Sequence, residues 1–234
     1  MKMRSREFEH LKASNREIDG IGLIDNYFTT ERYHSAQEFL EANMKHYGSE
    51  KYRDKEKTTR FVGTCFEGIG YQYLLGNLRQ NEYLCPPEET FQYFQEFIYP
   101  QRRIVFHEAG IFTFRGTYIP DGLLIEGESM LAGRVKAMVD YTMGPNIEVL
   151  ERKLRGLDSL RKDTPTVFTE TKLIVVAPMM RNPEKVLRLL RENNDLNPDE
   201  DLLLVPFPCF GSVIYWKIEN KYINAFEKVF KEKF

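Results

Sequence analysis

The sequence lacks the features that mark several large protein classes. Its three cysteines, Cys65, Cys85 and Cys209, form no CxxC pair, and its four histidines belong to no HExxH or Cys–His spacing, so we expect no zinc site. No run approaches about 18 uncharged apolar residues, so no membrane span is predicted. The charged first ten residues do not resemble a secretory signal. These features together favour a reducing compartment, and we expect a cytoplasmic protein.

An excess of charge of one sign is also missing. The 234 residues include 33 lysines and arginines against 35 aspartates and glutamates, and the formal net charge is −2. This balance excludes a surface that is basic all round, although a local basic groove is compatible with it. Hydrophobic residues make up 42% of the chain, which is enough for a full core, so a disordered chain is excluded as well.

Helical patterns dominate the first half of the chain. The segment 35–38 fits a capping box at the start of one helix, and apolar residues over 62–73 recur at helical spacing and predict a second helix. The charge-rich stretch 51–60 between them is interpreted as a surface connection. A third helix is expected over 88–99, after two prolines.

Strand patterns appear in the second half. Strands predicted over 103–114, 118–126 and 134–142 form a meander, and the last of them alternates polar and apolar residues. After them we predict a helix over 147–160, a buried strand over 173–177 and a helix over 183–193. A buried strand over 202–205, an edge strand over 213–218 and a final helix over 222–234 follow. This order predicts an α/β fold with a mixed central sheet flanked by helices.

Two aspartates of the meander form a candidate metal site. Asp121 follows Pro120, and Asp140 lies nineteen residues later on the next predicted strand. On adjacent antiparallel strands both can project from one face, where two close carboxylates repel each other unless a cation lies between them. Such oxygen ligands suit Mg²⁺ or Mn²⁺, which would activate a phosphodiester for hydrolysis. The alternatives are an ordinary turn over 120–122 and a capping role for Asp140 after its strand.

A glutamate on the preceding helix is a further candidate. Glu67 lies between Gly63 and Gly70, and glycine inside a helix costs about 1 kcal/mol against alanine. We therefore expect another element to approach this helix face closely. A solvated glutamate on a thin helix face is the alternative interpretation.

The order of these elements resembles the layout of the PD-(D/E)xK nucleases over residues 58–178. This resemblance implies a restriction-endonuclease-like core over 58–234, with residues 1–57 as an extra N-terminal helical region. It also implies a metal-dependent nuclease that hydrolyses phosphodiester bonds in DNA, commonly as a homodimer because two strands need two sites. The residues that match the family's metal ligands are Glu67, Asp121, Asp140 and the backbone oxygen of Tyr141.

One position departs from the family pattern. Where the resembled nucleases have a lysine that orients the attacking water, two residues after Asp140, this chain has Thr142, whose neutral hydroxyl does not supply the same charge. Either another lysine takes the role, or the protein binds without cutting, or an inactivating substitution stands here. Lys153 on the following helix is the preferred substitute. Lys136 is predicted to share the face of Asp140, but at a distance of about 13 Å.

A second alignment to the family motif uses Glu170-Thr171-Lys172, which is a literal E-x-K. This segment stands at the beginning of the predicted strand 173–177, so its carboxylate would lie at a different depth along the sheet. Strand 134–142 would also become an insertion. We therefore prefer the alignment through Asp140.

Two classes of function are carried forward. The first is a DNA nuclease in which the catalytic residues are Asp121, Asp140, Glu67 and Lys153. The second is a degenerate nuclease fold that binds nucleic acid or a partner protein without cleavage. A third class is a structural or virion-associated component that uses the fold only for assembly. No membrane partner is expected.

Overall fold

The computed structural model of the chain describes residues 5–12, 54–99, 118–127, 133–193 and 195–218. The described strands are β1 (Glu82–Cys85), β2 (Gly122–Glu126), β3 (Arg134–Tyr141), β4 (Lys172–Met179) and β5 (Leu202–Phe210). They form one mixed sheet in the order β1-β2-β3-β4-β5. The first three strands are an antiparallel meander, and β4 and β5 run parallel to β3.

Helices flank this sheet, as predicted for the α/β class. The described helices are α1 (Asp54–Leu75), α2 (Pro87–Tyr93, continued by a π-helical turn over Phe94–Ile98), α3 (Ile147–Asp163), α4 (Pro165–Phe168), α5 (Pro183–Arg191), α6 (Pro198–Asp201) and α7 (Gly211–Ile218). A 3-10 helix over Ser5–Lys12 precedes them. Among the described helices, not one combines the length and the apolar character that crossing a bilayer requires.

The apolar core is divided into two clusters by the sheet, because successive side chains of a strand point to opposite faces. The α1 side is the cluster that α1, α7 and the 3-10 helix form with residues such as Val139 and Ile174. The α3 side is the cluster that α3 to α5 and the π-helical turn form with residues such as Leu123 and Met138. Both faces of the central strands are covered, which explains the continuous apolar run of β4.

Helix α3 shows how the sequence sets these contacts. The side chain of Asn146 accepts a hydrogen bond from the backbone N–H of Val149 at 2.9 Å, which caps the first turn. Leucines at helical spacing then cover the α3 side of the sheet, as the predicted amphipathic pattern requires. The buried leucines of this helix are Leu150, Leu154, Leu157 and Leu160.

A β-bulge in β3 changes the direction of Lys136. Leu124 and Ile125, which are adjacent in β2, pair with the two residues that flank Lys136, so this lysine is an extra residue in its strand. Its Nζ lies 5.4 Å from the ring centroid of Phe8, a residue of the α1 side. The prediction that Lys136 shares a face with Asp140 is wrong, because one inserted residue reverses the alternation.

Several other elements differ from the sequence-based prediction. Segment 213–218, predicted as an edge strand, belongs to helix α7, whose Ile214 is buried on the α1 side; a few alternating residues do not separate strand from helix. The expected surface connection over 51–60 is helical from Asp54 onward. Strand β1 was not predicted. Strand 103–114 and the helices predicted after residue 35 and over 222–234 lie outside the described residues.

The proposed division of the chain at residue 57 falls inside α1. Of the predicted N-terminal region, the structure describes residues 5–12 and the first turn of α1. Phe8 and Leu11 of the 3-10 helix are buried in the same cluster as Phe66 of α1. This N-terminal segment is therefore part of the main core.

Candidate functional site

Asp121, Asp140 and Lys153 lie together on the α3 side of the sheet. Leu123 pairs with Met138 and both belong to the α3-side cluster. Asp121 lies two residues before Leu123 and Asp140 two residues after Met138, so in this antiparallel pair both project to that same face. The Nζ of Lys153 donates a hydrogen bond to Asp140 Oδ1 at 2.6 Å. The structure thus brings together two predicted metal ligands and the preferred substitute lysine.

The backbone of β3 fixes the position of Asp121. Asp121 precedes β2, and its Oδ2 accepts a hydrogen bond from the backbone N–H of Tyr141 at 2.9 Å. This bond joins the beginning of β2 to the end of β3, next to Asp140. The alternative interpretation of 120–122 as an ordinary turn is met only in part: the backbone bends at Asp121 and leads directly into β2, and the aspartate side chain accepts a hydrogen bond from the next strand.

Burial and neighbouring charges shift the pKa values of this site in opposite directions. Asp140 is 1% exposed, and burial raises the pKa of both Asp140 and Asp121, while the ammonium of Lys153 offsets only part of the rise. Burial by itself lowers the pKa of Lys153, but the two carboxylates raise it by more, so the net shift is upward. When both aspartates are ionised, their two negative charges face the ammonium of Lys153, and Arg152 adds a smaller positive contribution.

One oxygen of Asp140 has no hydrogen-bond partner. Oδ1 accepts from Lys153, and Oδ2 is buried without a well-formed hydrogen bond from the described residues. The backbone N–H of Asp121 is near enough to this carboxyl to lower its pKa. A buried carboxylate oxygen without a donor is energetically unfavourable. A cation would satisfy it, and Mg²⁺ commonly binds through one or two carboxylates while it keeps several waters. Two aspartates therefore fit this ion in type and number of ligands.

Glu67 does not complete a metal-binding cluster with the aspartates. Within the described parts of the chain, no group of three or more His, Cys, Asp and Glu side chains is arranged to hold a metal. Glu67 belongs to α1, and Tyr141 connects that helix to the site. Burial raises the pKa of the Tyr141 hydroxyl, and the charges of Asp121, Glu67 and Asp140 raise it further. The Tyr141 hydroxyl therefore feels the charge of carboxylates from both α1 and the aspartate site.

Gly63 and Gly70, four residues before and three residues after Glu67, differ in their surroundings. A Cβ atom at Gly70 would clash with the Tyr141 ring, so the expected close approach to this helix face is confirmed there. At Gly63 a Cβ would meet nothing within 4 Å, and the prediction is wrong for that position. The site therefore needs the space that Gly70 leaves for Tyr141.

Lys136 is held elsewhere. Its Nζ lies 3.3 Å from Glu82 Oε1 and 3.3 Å from Glu7 Oε1, and the other oxygen of Glu82 lies 2.8 Å from His10 Nε2. Lys136 thus belongs to a separate buried charge cluster on the α1 side. Of the two candidate lysines, only Lys153 contacts Asp140.

Thr142 has local partners. Its hydroxyl oxygen accepts the backbone N–H of Gly144 at 3.4 Å, and its own N–H donates to the carbonyl of Val176 at 3.0 Å. The turn after β3 is therefore capped by Thr142. The alternative that Asp140 caps this turn is wrong, because the Asp140 carboxylate contacts Lys153.

The second alignment falls at another end of the sheet. Lys172 is level with Ala137 in the ladder, three residues before Asp140 in β3. Glu170 is exposed and forms an ion pair with Arg134 at 2.9 Å. The exposed Glu170 and the half-buried Lys172 therefore lie away from the buried aspartates.

Two residues beside Lys153 were not identified from the sequence. The ring of Tyr118 lies 5.8 Å from Lys153 Nζ, and a Cβ atom at Gly156 would clash with that ring. Glycine in the middle of an amphipathic helix is a signal of a close contact, and it could have identified Gly156. No such signal exists for Tyr118, because aromatic residues are common in strand-like segments.

No protein-family model, curated protein or solved structure matches this chain. What the protein does must therefore be argued from the site. A buried pair of carboxylates beside a lysine can bind a divalent cation or, without one, form a structural ion cluster.

Proposed function

We propose that the protein is a divalent-metal-dependent DNA nuclease with a restriction-endonuclease-like fold. The observation that carries the proposal is the placement of Asp121 and Asp140 on one face, with Lys153 Nζ 2.6 Å from Asp140. The element order supports it, because a helix, a three-stranded meander, a helix and a parallel strand follow one another as α1, β1 to β3, α3 and β4. The helix α2 is an addition within the meander.

Each residue of the site has its own proposed role. Asp121, Asp140 and the backbone oxygen of Tyr141 would hold Mg²⁺ or Mn²⁺, which when bound polarises the phosphodiester and stabilises charge on the leaving oxygen. Lys153, kept protonated by the two carboxylates, brings positive charge to the place where negative charge develops. It thereby takes the role that the neutral Thr142 does not fill. Glu67 is not among the proposed metal ligands, because it forms no metal-binding group with the aspartates.

Calorimetry with Mn²⁺ tests the metal site. We expect binding heat for the wild type and its loss in Asp121→Ala, because one of two carboxylate ligands is removed. Asp158→Ala is the matched control, since Asp158 is an exposed aspartate on α3 that pairs with Lys162 at 2.6 Å. Equal heats for the wild type and Asp121→Ala would remove the metal from the proposal.

Cleavage assays test the nuclease activity. A plasmid, a branched duplex and single-stranded DNA are each incubated with Mg²⁺ or Mn²⁺ at low salt, where phosphate contacts are strongest. We expect cleavage by the wild type and at least a 100-fold loss in Asp140→Ala, in the range of other losses of electrostatic stabilisation (~10²–10³ in kcat). Cleavage at the wild-type rate by Asp140→Ala would assign the activity to another site or to a contaminant.

A second candidate is a protein of the same fold that binds nucleic acid or a partner without cleavage. The favouring observation is that Lys153 forms an ion pair with Asp140 at 2.6 Å, while Thr142 stands at the motif lysine position. Binding of DNA without cleavage in every metal and on every substrate would favour this candidate. A homodimer belongs to the first proposal, in which a second protomer supplies the site for the second strand.

A further inference from the structure

The ring of Tyr118 packs against α3 directly beside Lys153. Gly156 and Lys153 are three residues apart in α3, so they lie on the same face of the helix. A side chain at position 156 would overlap the Tyr118 ring. The ring thus occupies a place on the helix surface that only glycine leaves open, one turn from the lysine.

The same ring contacts the ammonium of Lys153. Nζ lies 5.8 Å from the centroid of the Tyr118 ring, within the range of a cation–π contact of about 6 Å. Asp140 holds the ammonium from another direction, at 2.6 Å. The Lys153 side chain is 11% exposed, whereas Lys162 of the same helix, which also pairs with an aspartate at 2.6 Å, is 73% exposed.

The hydroxyl of Tyr118 is not part of this contact. It is buried, and no hydrogen-bond partner among the described residues reaches it. The face of the ring is therefore what holds Lys153, and phenylalanine would provide the same face. Comparing Tyr118→Phe with the wild type therefore separates the contribution of the ring from that of the hydroxyl.

We propose that Tyr118 is a positioning residue that holds the Lys153 ammonium against Asp140, and that Gly156 is the gap in α3 that admits its ring. The geometric part of this inference concerns the chain alone. Its consequence for catalysis rests on the proposed nuclease function. A lysine free to rotate away from Asp140 would lose the fixed geometry that electrostatic stabilisation needs.

Chemical reactivity of the lysine tests the geometric part without any nuclease assay. The folded protein is treated with a limiting acetylating reagent, and mass spectrometry gives the acetylation rate of Lys153 relative to Lys162. We expect Lys153 to react at least about tenfold more slowly in the wild type and in Tyr118→Phe, since ring contact and burial are kept. In Tyr118→Leu and in Gly156→Ala we expect its relative rate to rise about five- to tenfold.

Four results would overturn the inference. The first is a Lys153 rate equal to that of Lys162 in the wild type, and the second is an unchanged Lys153 rate in a folded Tyr118→Leu or Gly156→Ala variant. The third is an increase in Tyr118→Phe as large as in Tyr118→Leu. The last is a further increase in the Lys153 rate when Gly156→Ala is added to Tyr118→Leu. The last follows because Gly156→Ala acts through a ring that is no longer there. Circular dichroism identifies the folded variants. If neither variant folds, Tyr118→Phe decides: its Lys153 rate should equal that of the wild type, and a rate that approaches that of Lys162 would overturn the inference.

The cleavage assay then tests the catalytic consequence. We expect kcat to fall about tenfold in Tyr118→Leu with KM for DNA nearly unchanged, because the lysine loses position while the DNA surface stays the same. Tyr118→Phe should keep the wild-type kcat. If the wild type cuts no DNA but Lys153 is protected as expected, the nuclease proposal fails and the positioning role stands.

Discussion

At the scale of single residues, the site combines unfavourable burial with charge. The pKa of Asp121 is raised because burial outweighs the help of Lys153 and of the Tyr141 N–H. A carboxyl whose pKa is raised in the folded state binds protons more tightly there than in the unfolded chain. The folded protein therefore loses stability as pH rises from the unfolded pKa through the folded one.

The upward shift of the Asp121 pKa leads to a prediction for the metal-free Asp121→Asn variant. The asparagine oxygen can still accept the Tyr141 N–H, and the remaining Asp140–Lys153 pair is electrically neutral. We expect the variant to be more stable than the wild type at pH 7, and the difference to shrink towards pH 4, where the wild-type carboxyl takes up its proton. Urea unfolding at both pH values measures it, and an equal difference at the two values would contradict the assigned cause.

The sequence was sufficient to predict that Asp121, Asp140 and Lys153 lie together. The spacing of Asp121 and Asp140 across one meander determined their shared face, and helical position made Lys153 a candidate. It was not sufficient for Tyr118 or for the direction of Lys136. The Tyr118 contact depends on how α3 packs, and Lys136 depends on a bulge, and both are decided by tertiary packing.

At the scale of elements, α1 contains two glycines whose replacement should act in opposite directions. Gly63→Ala should stabilise the protein by about 0.5–1 kcal/mol, because a Cβ there meets nothing and helix propensity improves. Gly70→Ala should destabilise it by about 1–3 kcal/mol, because the new methyl group displaces the Tyr141 ring. Urea unfolding compares both with the wild type.

The two glycine variants also differ in their expected effect on the site. Gly70→Ala should weaken Mn²⁺ binding, since Tyr141 supplies both the N–H to Asp121 and the proposed backbone ligand. Gly63→Ala should leave it unchanged. Loss of binding in both variants, or in neither, would disconnect α1 from the metal site.

Element prediction was accurate where a pattern was long and continuous. The leucine stripe of α3 and the apolar run of β4 identified both elements. Strand β1 is four residues long and carries no distinctive period, and α7 begins with residues that alternate by chance. For such short segments the neighbouring elements decide the conformation, so sequence alone did not predict them.

At the scale of the whole molecule, the N-terminal 3-10 helix is anchored to the sheet. Leu11 is fully buried on the α1 side, and His10 contacts Glu82, which also pairs with Lys136. Burial alone would raise the pKa of Glu82, but the Arg79 N–H, His10 and Lys136 outweigh it and lower the pKa. Its contribution to stability is therefore present above the unfolded pKa and is lost as pH falls through the folded one.

This anchoring predicts that Leu11→Ala destabilises the whole fold. We expect a loss of about 2–5 kcal/mol in the free energy of unfolding, as for other buried leucines. The exposed Lys185→Ala serves as the control and should change stability by less than about 0.5 kcal/mol. A cost below about 1 kcal/mol for Leu11→Ala would show that the N-terminal segment contributes little to the core.

The central claim is that Asp121 and Asp140 hold one divalent cation beside Lys153. The most direct measurement is anomalous diffraction from crystals soaked in Mn²⁺, with Asp121→Ala crystals as the control. We predict a manganese peak between the two carboxylates, within about 2.0–2.3 Å of an oxygen of each, and no peak in the variant. A saturating soak that leaves the Lys153–Asp140 pair intact and shows no peak there would contradict the account.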